Sequence, residues 1–180
     1  MLLFVISASC GVGKSTMKDE LAKRESLSSF AFIDSDEVGL NWWDYAGTDH
    51  EKKYGEDSLK RAVEMAGGRH LVFSSCLNPL DYFRDMDAPE AVEASYFIAM
   101  VCDDGMQYER LRSRPAERGF TSDEVIRPHI EYNRWFKKQR SKFQLFIDNT
   151  RQSEKETANI IERYLLETAR VYGEVGNGKI

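Results

Sequence analysis

The stretch Leu-Leu-Phe-Val-Ile-Ser-Ala-Ser-Cys-Gly-Val-Gly-Lys-Ser-Thr, residues 2–16, decides the fold. Leu2 to Ile6 form an unbroken run of apolar β-formers, the pattern of a strand buried on both faces. Lys14 to Arg24 reads as a helix. Between them, Gly11 and Gly13 let the backbone curl so that its N–H groups face one centre. The helix starting near Lys14 adds the partial positive charge of its N-terminus. An ammonium on Lys14 and hydroxyls on Ser15 and Thr16 complete a cradle for a polyphosphate.

Outward from this stretch, short apolar runs alternate with longer amphipathic ones. Phe30–Ile33, His70–Ser74, Tyr96–Val101 and Phe143–Ile147 read as strands. Glu51–Ala66, Asp104–Arg112, Thr121 to about Lys138 and Ser153 to about Tyr172 read as helices. Thr121-x-x-Glu124 and Ser153-x-x-Glu156 have the form of capping boxes. Strands separated by helices imply an α/β fold whose mostly parallel sheet is covered on both faces. Ligands of such sheets sit beyond the carboxyl ends of the strands.

Chemistry-bearing residues fall at those ends. Residues 8–16 match the P-loop pattern, with Ala8 in place of its first glycine. Ser9, Cys10, Gly11, Val12, Gly13, Lys14, Ser15 and Thr16 are therefore candidates for binding the phosphates of Mg-ATP. Lys14 reaches the β- and γ-phosphates, and Ser15 ligates Mg2+. Asp34 and Asp36 follow strand two and are candidates for taking the proton of an attacking hydroxyl, Asp34 first. The same residues also suit a helix cap, with Glu37 in its first turn. Arg110, Arg114 and Arg118 follow strand four, where Pro115 and Gly119 break the helix. Trp42, Trp43 and Tyr45 either line an acceptor pocket or pack under a loop. Cys10 is the thiol to watch, because an anion-binding loop depresses a thiol pKa.

Bulk properties narrow the classes. The chain of 180 residues suits one domain, and its formal net charge of −5 argues against non-specific nucleic-acid binding. Three widely spaced cysteines indicate neither a disulfide framework nor a zinc site, which points to a reduced, cytoplasmic setting. The apolar start lacks the basic leader of a signal peptide, and no run reaches the length of a membrane span. The basic residues from Arg127 to Arg140 read as a solvated face.

With the P-loop, the Asp34-Ser35-Asp36 and the arginines in view, the chain resembles the nucleoside and nucleotide kinase branch of the P-loop proteins. Adenylate, gluconate and shikimate kinases belong to it. The resemblance covers about residues 1–170. It implies a three-layer α/β/α sandwich with a five-stranded parallel sheet in the order 2-3-1-4-5. It also implies a small helical lid at about residues 110–121, within one domain over 1–172 that a tail at 173–180 follows. The lid would close over ATP, with Arg114 and Arg118 neutralising the transferred phosphoryl group, Arg110 stacking on the adenine or holding a carboxylate, and Arg151 near the adenine. Arg114-Pro115 matches the Arg-Pro of shikimate kinase lids, whereas Ser74-Ser75-Cys76 replaces that family's glycine triplet. The function implied is transfer of the γ-phosphoryl of Mg-ATP to a small-molecule acceptor, a nucleoside or nucleotide ahead of a sugar acid or shikimate-like compound. A regulatory switch without acceptor is the alternative from another class. A monomer or homodimer is expected.

Overall fold

A computed structural model describes residues 1–177 of the chain. Its strands are β1 (Leu2–Ser7), β2 (Phe30–Asp34), β3 (His70–Ser75), β4 (Ala94–Val101) and β5 (Leu145–Asp148). They form one sheet in the order β2-β3-β1-β4-β5, and every pair is parallel. The helices are α1 (Lys14–Ala22), α2 (Lys53–Ala66), α3 (Pro79–Tyr82), α4 (Asp104–Arg112), α5 (Asp123–Lys138) and α6 (Glu154–Asn177). This is the three-layer architecture of the P-loop kinases.

The unbroken apolar run of β1 follows from its place in the middle. All of its residues are buried. Because side chains alternate along a strand, β1 feeds two cores. Leu2, Phe4 and Ile6 pack with Met17 and Leu21 of α1 and with Ile161 and Leu165 of α6. Leu3 and Val5 pack on the other face with Leu59 and Ala62 of α2 and Phe136 of α5. A strand with one polar face could not serve both layers.

Register sets the functional rim. Ser7 pairs with Ser75 and Ala99, Asp34 with Ser74, and Val101 with Asp148. The loop after β1 is thus flanked by the ends of β3 and β4, and Asp34 stands one strand further out.

Two helix ends differ from the sequence reading. Thr121 does not cap α5; Ser122 holds the cap position without a side-chain hydrogen bond. By contrast, the box at α6 forms: the Glu156 N–H donates to Ser153 Oγ at 3.2 Å, and the Ser153 N–H to Glu156 Oε2 at 2.8 Å. α6 continues to Asn177, so the tail expected from residue 173 is helical that far, and residues 178–180 lie outside the described residues. The apolar face of α6 packs on the core as far as Tyr172. Among the described residues, no helix is long and apolar enough to cross a membrane.

Candidate active site

The loop after β1 has the expected backbone. Gly11 and Gly13 have φ of +82° and +112°, the left-handed region that disfavours side chains. A Cβ on Gly11 would also lie 2.9 Å from Cγ of Leu111. Ala8 is buried and its φ is not positive, so this position does not require the glycine of the pattern. Gly13 takes the cap position of α1 with no side-chain cap, and the first turn of α1 has no acidic residue. Its N-terminal N–H groups are therefore open to an external anion. Lys14 is buried, and its ammonium donates to the Ala8 carbonyl at 2.7 Å.

Two buried amides brace the loop, and the sequence reading missed both. Gln107 of α4, with no exposed surface, donates from Nε2 to the Cys10 carbonyl at 2.7 Å, the His129 carbonyl at 3.1 Å and Ser9 Oγ at 3.1 Å. Ser9 Oγ itself donates to the His129 carbonyl at 2.7 Å, so this hydroxyl ties the loop to α5. Asn149, just after β5, donates to the Val12 carbonyl at 2.9 Å. Its Oδ1 is buried and has no hydrogen-bond partner among the described residues. A usable signal existed for Gln107: it shares the buried face of α4 with Leu111, four residues on, where an apolar residue is the norm.

A cavity of about 280 Å³ opens beside the loop, lined by Gly13, Thr16, Arg110, Arg114, Asn149 and Gln152. The orphaned Asn149 Oδ1, the uncapped helix end and the two guanidinium groups fit a nucleotide, which brings both anionic oxygens and base N–H donors. Arg110 lines this cavity and donates to the Val12 carbonyl at 3.3 Å. Arg151 is exposed, and Asn149 and Gln152 of the same turn line the cavity.

A smaller cavity of about 110 Å³ unites most of the candidate catalytic groups: Lys14, Ser15, Asp34, Asp36, Arg114 and Arg118, with Cys10 and Cys76. Asp34 forms the helix cap that the sequence allows. Its Oδ1 accepts from the Asp36 N–H at 3.1 Å and its own N–H donates to Glu37 Oε2 at 2.9 Å, a complete capping box. Its carboxylate also lines the cavity. Burial raises the Asp34 pKa above the ordinary aspartate value, against the hydrogen bond from Asp36. For Lys14, burial opposes the charge, but attraction to the sulfurs of Cys76 and Cys10 and to Asp34 prevails and its pKa is raised. Cys10 Sγ lies 3.8 Å from Cys76 Sγ. The Cys76 hydrogen bond, against burial and with help from Lys14 and Arg114, lowers the Cys10 pKa to about 6. The hydrogen bond to Cys10 and burial push Cys76 the other way. Among the described residues no three His, Cys, Asp or Glu side chains form a metal cluster. A magnesium ion bound by hydroxyl, phosphate and water oxygens suits such a site, with Ser15 as the hydroxyl ligand.

The segment expected as a lid holds a short 3₁₀ turn, Ala116–Arg118, ended by Gly119 at φ +82°. The Arg114 guanidinium stacks over Phe120 at 5.2 Å. Beyond the lid a third cavity, of about 580 Å³, is lined largely by Trp42, Trp43, Tyr54, Leu77, Phe120 and Val125. Asp36, Cys76 and Arg118 border both this cavity and the small one. Trp42 meets Tyr54 edge-on at 5.2 Å, so it packs and lines at once. Tyr45 is used in packing, its hydroxyl donating to Asp57 at 3.1 Å. The basic face of α5 turns away from the site: Arg134 and Lys137 both hold Asp104, at 2.6 and 2.9 Å.

A family model described as an AAA domain matches residues 5–127. No curated protein sequence matches the chain. Among solved structures, shikimate kinase from Bacteroides thetaiotaomicron is similar with a TM-score of 0.60 at 16% identity, over 91% of this chain and 98% of that one. The tunicamycin resistance protein of Deinococcus radiodurans also gives 0.60 at 16% identity, over 91% and 95%. A gluconokinase from Sinorhizobium meliloti 1021 gives 0.56 at 16% identity, over 99% and 98%. At these identities the likeness is one of fold.

Proposed function

The chain belongs to the AAA domain family, and from that premise we propose that it is a P-loop phosphotransferase moving the γ-phosphoryl group of Mg-ATP to a hydroxyl on a small acceptor. One observation carries the reading. A single cavity gathers a buried lysine, two carboxylates and two arginines at an uncapped helix N-terminus. A nucleotide switch has no need of the carboxylate pair.

Magnesium, held through Ser15, supplies charge neutralisation on the phosphate oxygens. The remaining work falls to the chain. The N–H groups of the loop and of α1 grip the phosphates, and Lys14 holds the oxygens at the point of transfer. Asp34 takes the proton from the acceptor hydroxyl as it attacks, and Asp36, at the border of two cavities, holds that acceptor. Arg114 and Arg118, on the segment over the loop, stabilise charge as it develops on the transferred group. Closure of that segment excludes water and limits wasteful hydrolysis. Arg110, Asn149 and Gln152 bound the side on which the base lies. The free thiols fit a reducing, cytoplasmic setting.

The test is acceptor-dependent ADP release. Acceptor should accelerate ATP turnover, and Lys14→Ala should reduce it by about 10²–10³-fold, the loss typical of a charge-stabilising donor. Turnover that no acceptor changes, or that survives loss of Lys14, rejects the proposal.

A further inference from the structure

The third cavity differs in chemistry from the phosphate side. Its volume of about 580 Å³ is that of a site for a drug-sized molecule. Trp42, Trp43, Phe120, Leu77 and Val125 supply most of its apolar lining. Trp43 is 80% exposed, which leaves its ring open to a planar partner. Charge is sparse. Arg118 is the only arginine or lysine of the lining, and it is shared with the phosphate cavity. Asp36 opposes it, and burial lowers the pKa of His129, the remaining titratable nitrogen. Arg61, which might have served an anion from α2, already donates to the Val38 and Gly39 carbonyls at 3.1 and 3.3 Å. An acceptor bearing a carboxylate or phosphate would meet a carboxylate and aromatic faces, with a single guanidinium that the donor phosphates also claim. Anion sites use several convergent cations or N–H donors.

We propose that the acceptor is an uncharged alcohol carrying a flat ring system, of nucleoside or phenyl-bearing type, seated against Trp42, Trp43 and Phe120. Its hydroxyl crosses from the large cavity to the small one past Asp36. The inference rests on the phosphotransferase reading and narrows it: nucleotides, sugar acids and shikimate-like acids are excluded as the preferred acceptors. Stacking on aromatic faces gives affinity, and Asp36 fixes the hydroxyl.

The experiment measures ADP release with adenosine, thymidine and 2-phenyl-1,3-propanediol against AMP, TMP, gluconate and shikimate, alongside calorimetric binding of Mg-ATP. At least one neutral ring-bearing alcohol should stimulate turnover tenfold or more and gain one phosphoryl group by mass. Trp43→Ala should raise the KM for that acceptor about tenfold, with little effect on the KM for ATP. Stimulation confined to the anions, or none by the neutral alcohols although Mg-ATP binds, overturns this inference and leaves the nucleotide site standing. Failure to bind Mg-ATP removes the phosphotransferase reading itself.

The thiol pair supports a second inference independently. Cys10 belongs to the phosphate loop and Cys76 follows β3, with their sulfurs 3.8 Å apart; Cys76 is exposed and Cys10 partly so. We infer that the two close into a disulfide that shuts the nucleotide site. The Cys10 thiolate attacks a low-molecular-weight disulfide and displaces one thiolate. Cys76 then gives its proton to solvent, attacks the Cys10 sulfur and displaces the thiol bound there. Two protein thiols are oxidised and one disulfide is reduced to two thiols. The bridge replaces a 3.8 Å contact by a covalent bond that pins Cys10, within the phosphate loop, to the residue after β3.

Treatment with oxidised glutathione should give a Cys10–Cys76 linked peptide, abolish the thermal shift that Mg-ATP confers, and be reversed by dithiothreitol. Mg-ATP added first should slow it. Cys76→Ser, compared with itself before and after treatment, should carry a glutathione adduct on Cys10 and no bridge. Free thiols after treatment, or a bridged protein that keeps its Mg-ATP shift, overturns the inference.

Discussion

Asp34 joins an observed structural duty to the chemical one proposed for it. Its side chain closes a capping box, which fixes the carboxylate beside Lys14, and burial lifts its pKa above the ordinary aspartate value. A base works only when deprotonated, and the ionised fraction rises with pH. Activity should therefore fall on the acid side at a higher pH than an ordinary aspartate would give. Asp34→Asn should remove that limb and lower kcat by about 10²–10⁴-fold, as the loss of a general base does. A pH–rate profile of both proteins checks this; an unchanged acid limb in the variant assigns it elsewhere. Gln107 and Asn149 are the residues that sequence could not place. Each is an isolated amide far along the chain from the loop, and nothing in its neighbourhood says which carbonyl it meets. Gln107→Leu removes the donor from the Cys10 and His129 carbonyls without leaving a void. It should destabilise the protein by about 1–3 kcal/mol and raise the KM for ATP, read by denaturant unfolding and steady-state kinetics.

At the scale of the element, legibility followed burial and periodicity. α4 lies over Asp104–Arg112, as its composition between Asp103 and Pro115 indicates, and the Asp103 side chain caps it. The boundaries that moved are those decided by packing. Strand β4 begins at Ala94, ahead of the apolar run at Tyr96, because Ala94 and Ser95 pair with Leu2 and Leu3. α6 runs to Asn177, with its apolar face packed on the core as far as Tyr172. This helix also supports the helix that starts at the phosphate loop: Arg24, at the end of α1, is paired with Glu162 of α6. Leu165 is fully buried between them and β1. Leu165→Ala should cost about 2–5 kcal/mol of stability, measured by urea unfolding, with a smaller effect on turnover at a temperature where the variant stays folded. A cost under 1 kcal/mol would show that α6 contributes little to the core.

For the whole molecule, the strand order places the first strand of the chain in the middle of the sheet, between β3 and β4. The order was accessible only through family resemblance, because local pattern says that a strand is buried and not which strands bury it. Synthesis runs the other way from assembly. The ribosome delivers β1 first, yet its edges find partners only at residues 70–75 and 94–101. Until those arrive, the curl at Gly11 and Gly13 has neither Leu111 against it nor Gln107 and Asn149 to hold it. Such non-local pairing makes folding slow relative to helical proteins of similar size. Nucleotide affinity should then appear late and all at once. After dilution from urea, capture of a fluorescent ATP analogue should recover with the rate constant of the slowest refolding phase, and a nascent chain released before β4 emerges should capture none. In the cell, a half-made chain would thus draw nothing from the ATP pool before Asn149 has emerged.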